Sequence, residues 1–214
     1  MRILKQLTVG AMGVAACALM AVAGEVTEDL SKSVIDDLSG ADRLFQEDRW
    51  EFSLAAGANH SSVFESNRTD FDYALASIRF GWMLDSVTGE GWTRGNWEFM
   101  MCVEGGGIFG GPGEKILPGP SFYVVYNFVQ PGWDIVPYAG FGGGFLWPDS
   151  EVEELGQNFN FTPQGFCGFR YLIHDKWSVN LEFHYHHMSS AGISKRNTGI
   201  DGIGGMLGVS YFFE

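Results

Sequence analysis

Beyond residue 48 the chain alternates between apolar and polar positions with a period of two. That rhythm predicts strands near 49–58, 71–84, 93–107, 117–129, 132–147, 158–173, 176–189 and 200–213. Successive side chains of a strand point to opposite faces, so each segment has one greasy and one polar side. Eight strands and no long helix make an all-β fold. The segments exceed the five or six residues usual in soluble sheets. They match the roughly 9–11 residues, or more, that cross a bilayer at a tilt.

The connections alternate too. The turns at "QPG" near 130–132 and "HD" at 174–175 are tight, whereas those near 59–70, 108–117, 148–157 and 190–199 are longer. Long loops at one end and short turns at the other are the mark of an outer-membrane barrel. The long turn near 85–93 breaks the pattern. Trp133 and Trp147 share a face with Ile135, Ala139, Phe141 and Phe145. A tilted strand of that length separates the two indoles by roughly 35 Å along the membrane normal, close to the spacing of two interfacial girdles. Trp50, Trp97 and Trp177 fall near strand ends, and the last strand closes on Tyr211-Phe212-Phe213. The expected architecture is an eight-stranded antiparallel up-and-down outer-membrane β-barrel over residues 49–214. Both termini are expected in the periplasm and the 190–199 loop outside.

On the polar face fall Glu51, Ser53, Arg79, Glu98, Glu104, Asn160, Gln164, Arg170, Glu182, His184 and His186. An eight-stranded barrel has room inside only for side chains. Acids and arginines are therefore expected to pair in the lumen, with His184 and His186 as structural fillers. Glycines such as Gly140, Gly142 and Gly144 suit packing across a narrow interior. "GGGIFGGPG" has no following helix or Lys, so it reads as a strand end and loop rather than a phosphate cradle.

Composition changes this picture at the N-terminus. "MRILKQLTVGAMGVAACALMAVAG" has a basic start at Arg2 and Lys5, an apolar run, and the small-x-small site Ala21-Val22-Ala23. Residues 1–23 read as a secretory signal peptide. The weaker readings are a membrane anchor, for which the run is short, and a lipoprotein site at Cys17, past which the run continues. Residues 24–48 form an acidic extension in which 25–42 is weakly helical in pattern. Removing the two leader bases takes the net charge from −13 to −15. Nucleic acid is therefore no partner, since it needs a basic surface. Cys102 and Cys167, on faces of opposite parity, are expected as free thiols with no metal site.

The stretch "NLEFHYHHMSSAG", residues 180–192, carries the chemistry. Its greasy face holds Leu181, Phe183, Tyr185, His187 and Ser189. Pairing the last two strands so that Trp177 meets Tyr211 and Leu181 meets Leu207 brings Tyr185 opposite Ile203 and His187 opposite Asp201. A Ser, a His and an Asp thus converge on the lipid side, where polar groups are costly and functional when present.

These residues resemble the lipid A 3-O-deacylases of the PagL type. His187-Met188-Ser189, then Ala191-Gly192, match that family's His-x-Ser-Asn-Ala-Gly motif. Asn197-Thr198-Gly199 matches its Asn-x-Gly segment, and Asp201 falls fourteen residues after the His, where the family has its acid. Ser190 stands where the family usually has Asn, and Asp201 is one methylene shorter than the usual Glu. The resemblance implies an outer-membrane serine esterase without a cofactor or metal. Ser189 would be nucleophile, His187 base and Asp201 its orienting acid, with Asn197 and Ser190 as oxyanion or positioning residues. The implied substrate is the 3-O-linked hydroxyacyl chain of lipid A in lipopolysaccharide; a homodimer is left open. The rival readings are a non-catalytic barrel of the small OmpA/OmpX type and a soluble lipocalin-like barrel with its greasy face inward.

Overall fold

The computed structural model describes residues 40–61, 72–109, 115–148, 155, 157–195 and 199–214. The leader, most of the acidic extension and Asn197 lie outside these residues. The elements are a short helix α1 (Gly40–Leu44) and strands β1 (Trp50–His60), β2 (Asp72–Met83), β3 (Asn96–Phe109), β4 (Lys115–Ile116), β5 (Gly119–Asn127), β6 (Ile135–Leu146), β7 (Asn160–His174), β8 (Trp177–Met188) and β9 (Ile200–Phe213).

Each long strand pairs antiparallel with its neighbour in sequence, and β9 returns to pair with β1 from Trp50↔Phe213 to His60↔Ile203. The result is a closed eight-stranded up-and-down barrel, with β4 a two-residue addition to β3. Closure leaves no unpaired edge, which is what lets strands cross a membrane. The eight expected segments are the eight long strands. The main shift is at β3, expected from 93 but starting at Asn96. A 3-10 turn over Gly91–Thr93 and a bridge between Thr88 and Gly95 take up the preceding residues. The strand expected from 132 starts at Ile135, because Gly132, at φ +73°, still belongs to the turn.

The greasy face points outward. Ile78, Phe80, Val103, Phe141, Phe169, Leu181, Phe183 and Leu207 are all exposed on the outer wall. The polar positions are buried: Glu51, Ser53, Arg79, Glu98, Glu104, Asn160, Gln164, Arg170, Glu182, His184 and His186 all lie inside. This is the inverse of a soluble barrel that holds its ligand within. The lumen charges pair as expected. Arg79 forks onto both oxygens of Glu182 (2.5 and 3.0 Å), which also accepts from the Tyr138 hydroxyl at 2.8 Å. Arg170 bridges Glu51 and Glu98 and lies over the Tyr138 ring at 4.5 Å. Glu104 accepts from Ser121, Tyr123 and Gln164. His186 meets the Tyr73 hydroxyl through Nδ1 at 3.2 Å. His184 has ring neighbours in Phe166 and His186, but neither of its nitrogens has a hydrogen-bond partner among the described residues. Cys102 is buried inside, Cys167 is exposed outside, and both are free.

The short-turn end is stoppered. Ala41, Leu44 and Phe45 pack against Met83, Val129, Val136 and Phe212. Phe45 meets Phe212 edge to face at 5.3 Å, and Arg170 lies over the Phe45 ring at 5.9 Å. Arg94 ties α1 to the turns by donating to Asp42 (2.9 Å) and to the Val129 carbonyl (2.8 Å). Burying such a ring stabilises by roughly 1.5–3 kcal/mol. Both described ends of the chain sit here, since Trp50 pairs with Phe213.

Candidate active site

The site forms at the opposite, long-loop end, where β8 runs out. The β8–β9 ladder places His187 opposite Asp201 and Tyr185 opposite Ile203, the register expected from the alternation. Both side chains of the 187–201 pair therefore stand on the outer wall. Asp201 Oδ1 lies 2.7 Å from His187 Nδ1. An ionised carboxylate only accepts, so Nδ1 carries the proton and Nε2 is left as the acceptor. The Tyr185 hydroxyl donates to the same oxygen at 2.6 Å. The His187 side chain is 28% exposed and that of Asp201 12%, so the imidazole is reached from outside while the carboxylate sits behind it.

Ser189 lies one residue beyond β8 but keeps strand geometry. Its N–H donates to the Phe161 carbonyl at 3.0 Å, and its carbonyl accepts from the Phe161 N–H at 2.8 Å. That bridge continues the pleat, so Ser189 shares the outward face of His187 while Met188 and Ser190 are buried. Same-face neighbours on a strand stand roughly 6.5–7 Å apart, a gap that two side chains can close. Among the described residues the Ser189 hydroxyl makes no hydrogen bond to His187.

The loop then turns sharply. Ala191 (φ +51°) and Gly192 (φ +80°) adopt left-handed backbone, and Ser190 Oγ accepts from the Ser194 N–H at 3.3 Å. Ser190 thus braces the loop from within. Gly199 (φ +72°) returns the chain to β9, and a Cβ there would come within 3.1 Å of His187 Cε1 and 3.6 Å of Nε2. A glycine at this position keeps the space beside the accepting nitrogen open. On the β7 side Phe145, Trp147, Phe159 and Phe161 stack in one cluster, with ring centroids 5.3–6.3 Å apart. The polar group is thus flanked by an aromatic wall.

The lipid A 3-O-deacylase (PagL) family model matches residues 40–210, which span α1, the barrel as far as Ser210 and every residue of the site described above. The chain belongs to the lipid A 3-O-deacylase family. It is an outer-membrane barrel, like the deacylase PagL itself. The crystal structure of that outer-membrane enzyme covers 74% of this chain and 97% of its own, at 18% identity and a TM-score of 0.56. Neisserial surface protein A covers 77% of this chain and 97% of its own, at 15% identity and a TM-score of 0.52. Both likenesses are of fold. None of the curated proteins compared matches the chain.

Of the residues expected at the site, His187 and Asp201 are joined directly, and Ser189 stands beside them on the same face. Ser190 points away into the loop base. Asn197 is outside the described residues. Sequence reasoning passed over Tyr185 as a member of the cluster. Its signal was present: it shares the His187 face two residues earlier. A tyrosine reaches a diagonal cross-strand neighbour, which here is Asp201.

Proposed function

We propose that this deacylase-family barrel is a serine esterase that removes the 3-O-linked hydroxyacyl chain of lipid A. The observation that carries the reading is the His187–Asp201 couple on the lipid-facing wall, with Ser189 on the same face at the long-loop end. Residues 1–23 direct export and are removed, and the long-loop end faces outside. The ester of an outer-leaflet lipid then reaches the site without entering the barrel, whose lumen is filled.

Ser189 Oγ attacks the ester carbonyl while His187 Nε2 takes its proton. Asp201 holds the tautomer and stabilises the imidazolium that forms. The tetrahedral intermediate collapses as His187 returns the proton to the sugar oxygen, releasing the alcohol and leaving an acyl-enzyme. Water, deprotonated by the same imidazole, then frees the fatty acid. Asn197 or backbone N–H groups of the 190–199 loop hold the oxyanion. The Ser190 hydroxyl already accepts from Ser194, which supports a bracing role for it. The aromatic wall and Leu181, Phe183 and Leu207 give the acyl chains an apolar bed.

Mass spectrometry of lipid A from cells expressing the wild type or Ser189→Ala tests this. The wild type should remove one hydroxyacyl mass and release the free acid; the variant should not. A second reading, a non-catalytic barrel, takes support from the Ser189 hydroxyl, which is not hydrogen-bonded to His187. Intact 3-O-acylated lipid A in the presence of folded wild-type barrel would favour it.

A further inference from the structure

Asp201 accepts two hydrogen bonds on one oxygen, from His187 Nδ1 at 2.7 Å and from the Tyr185 hydroxyl at 2.6 Å. A carboxylate on a lipid-facing wall lacks the water that would otherwise solvate it. A side chain as short as Asp can also turn about its own bonds and leave the imidazole. Tyr185 answers both needs. It stands on β8 opposite Ile203, so its ring crosses diagonally to Asp201 from the side facing away from His187's neighbour Ser189. On its other flank β7 presents Gly165, which has no side chain to compete for the phenol. On β1 and β2, His60 and Asp72 pair with each other at 2.7 Å, and behind the wall the buried Tyr73 and His186 meet at 3.2 Å.

We propose that Tyr185 is a positioning residue of the esterase: its phenol fixes Asp201 in the orientation from which the carboxylate holds His187. This rests on the catalytic reading above. The phenol touches neither substrate nor nucleophile in this role; it acts through Asp201 alone. Two consequences separate it from a tyrosine that merely fills the interface. Removing the hydroxyl lets the carboxylate turn away from the imidazole, so the imidazolium is held less strongly and the acid limb of the rate profile moves to lower pH. And once Asp201 is gone, the hydroxyl has lost the carboxylate through which it acts on His187.

The test is Tyr185→Phe in the purified, heat-modifiable barrel, assayed on 3-O-acylated lipid A across pH. The expected result is a fall in kcat of about 10- to 100-fold, the range for a hydrogen bond to a charged group, with KM within about twofold. The acid limb of kcat/KM should move to lower pH. In an Asp201→Ala background the same change should add less than about twofold. Wild-type kcat and pH profile in Tyr185→Phe, with Ser189→Ala inactive, overturn the role of Tyr185 and leave the esterase standing. Equal effects of Tyr185→Phe with and without Asp201 overturn it too. Activity that survives Ser189→Ala overturns the catalytic reading and this proposal with it.

Discussion

The lumen and the outer wall use the same side chains to opposite ends. Inside, Tyr123, Glu104 and Gln164 form one hydrogen-bonded cluster, and Tyr138, Glu182 and Arg79 form another. Outside, Tyr185, Asp201 and His187 form a third. The inner clusters are sealed by the barrel wall and by the α1 stopper, and each charge there is matched by a rigid partner. The outer cluster keeps an imidazole nitrogen facing the membrane, with a hydroxyl two residues along. A polar network becomes a site when one member is left able to accept a proton and a substrate can arrive. It is only filling when its members are spent on their neighbours or sealed away from any substrate.

The sharpest way to break the comparison is to disarm the outer cluster. Ser189→Ala and His187→Ala should each lower kcat by about a millionfold, to background. The double variant should be no worse, because nucleophile and base act as a unit. All three should remain heat-modifiable barrels on gels. Either variant turning over at the wild-type rate would move the chemistry elsewhere.

Asp201→Ala should lose roughly a hundredfold less, since the remaining imidazole still acts as a base. Asp201→Glu should keep activity, which steady-state rates on 3-O-acylated lipid A will show. Collapse of activity in Asp201→Glu would mean that the observed Nδ1–Oδ1 spacing is indispensable.

On the inner side, Arg170→Leu leaves Glu51 and Glu98 buried with no cation. It should destabilise the barrel by roughly 3–5 kcal/mol in urea unfolding from lipid, with kcat per folded molecule unchanged. Lost turnover in the folded fraction would join the two networks.

The smallest effect belongs to His184. Because its nitrogens are unpaired among the described residues, His184→Gln removes no hydrogen bond there and should shift stability by less than about 1 kcal/mol and leave kcat alone. A large loss of stability would show that its nitrogens are engaged.

Much of this was legible before any coordinates. Parity alone sorted Glu51, Arg79, Arg170 and Glu182 to one face and Leu181, His187 and Asp201 to the other. The matched apolar pairs of the last two strands set their register. The illegible parts are those that no period of two encodes. The stopper depends on Phe45 meeting Phe212, two residues at opposite ends of the barrel sequence. The Tyr185 contact is diagonal, so a list of directly opposed pairs misses it. The idle imidazole of His184 looks like its hydrogen-bonded neighbour His186 until the facing strands are in place.

The sequence by itself determined the strands, their pairing and which residues face lipid, because a pleated strand has only two sides and water or lipid selects between them. Only the tertiary structure decided which polar groups are spent and which remain available. That depends on what closure of the barrel brings within about 3 Å, a distance set by eight strands together and by no one of them.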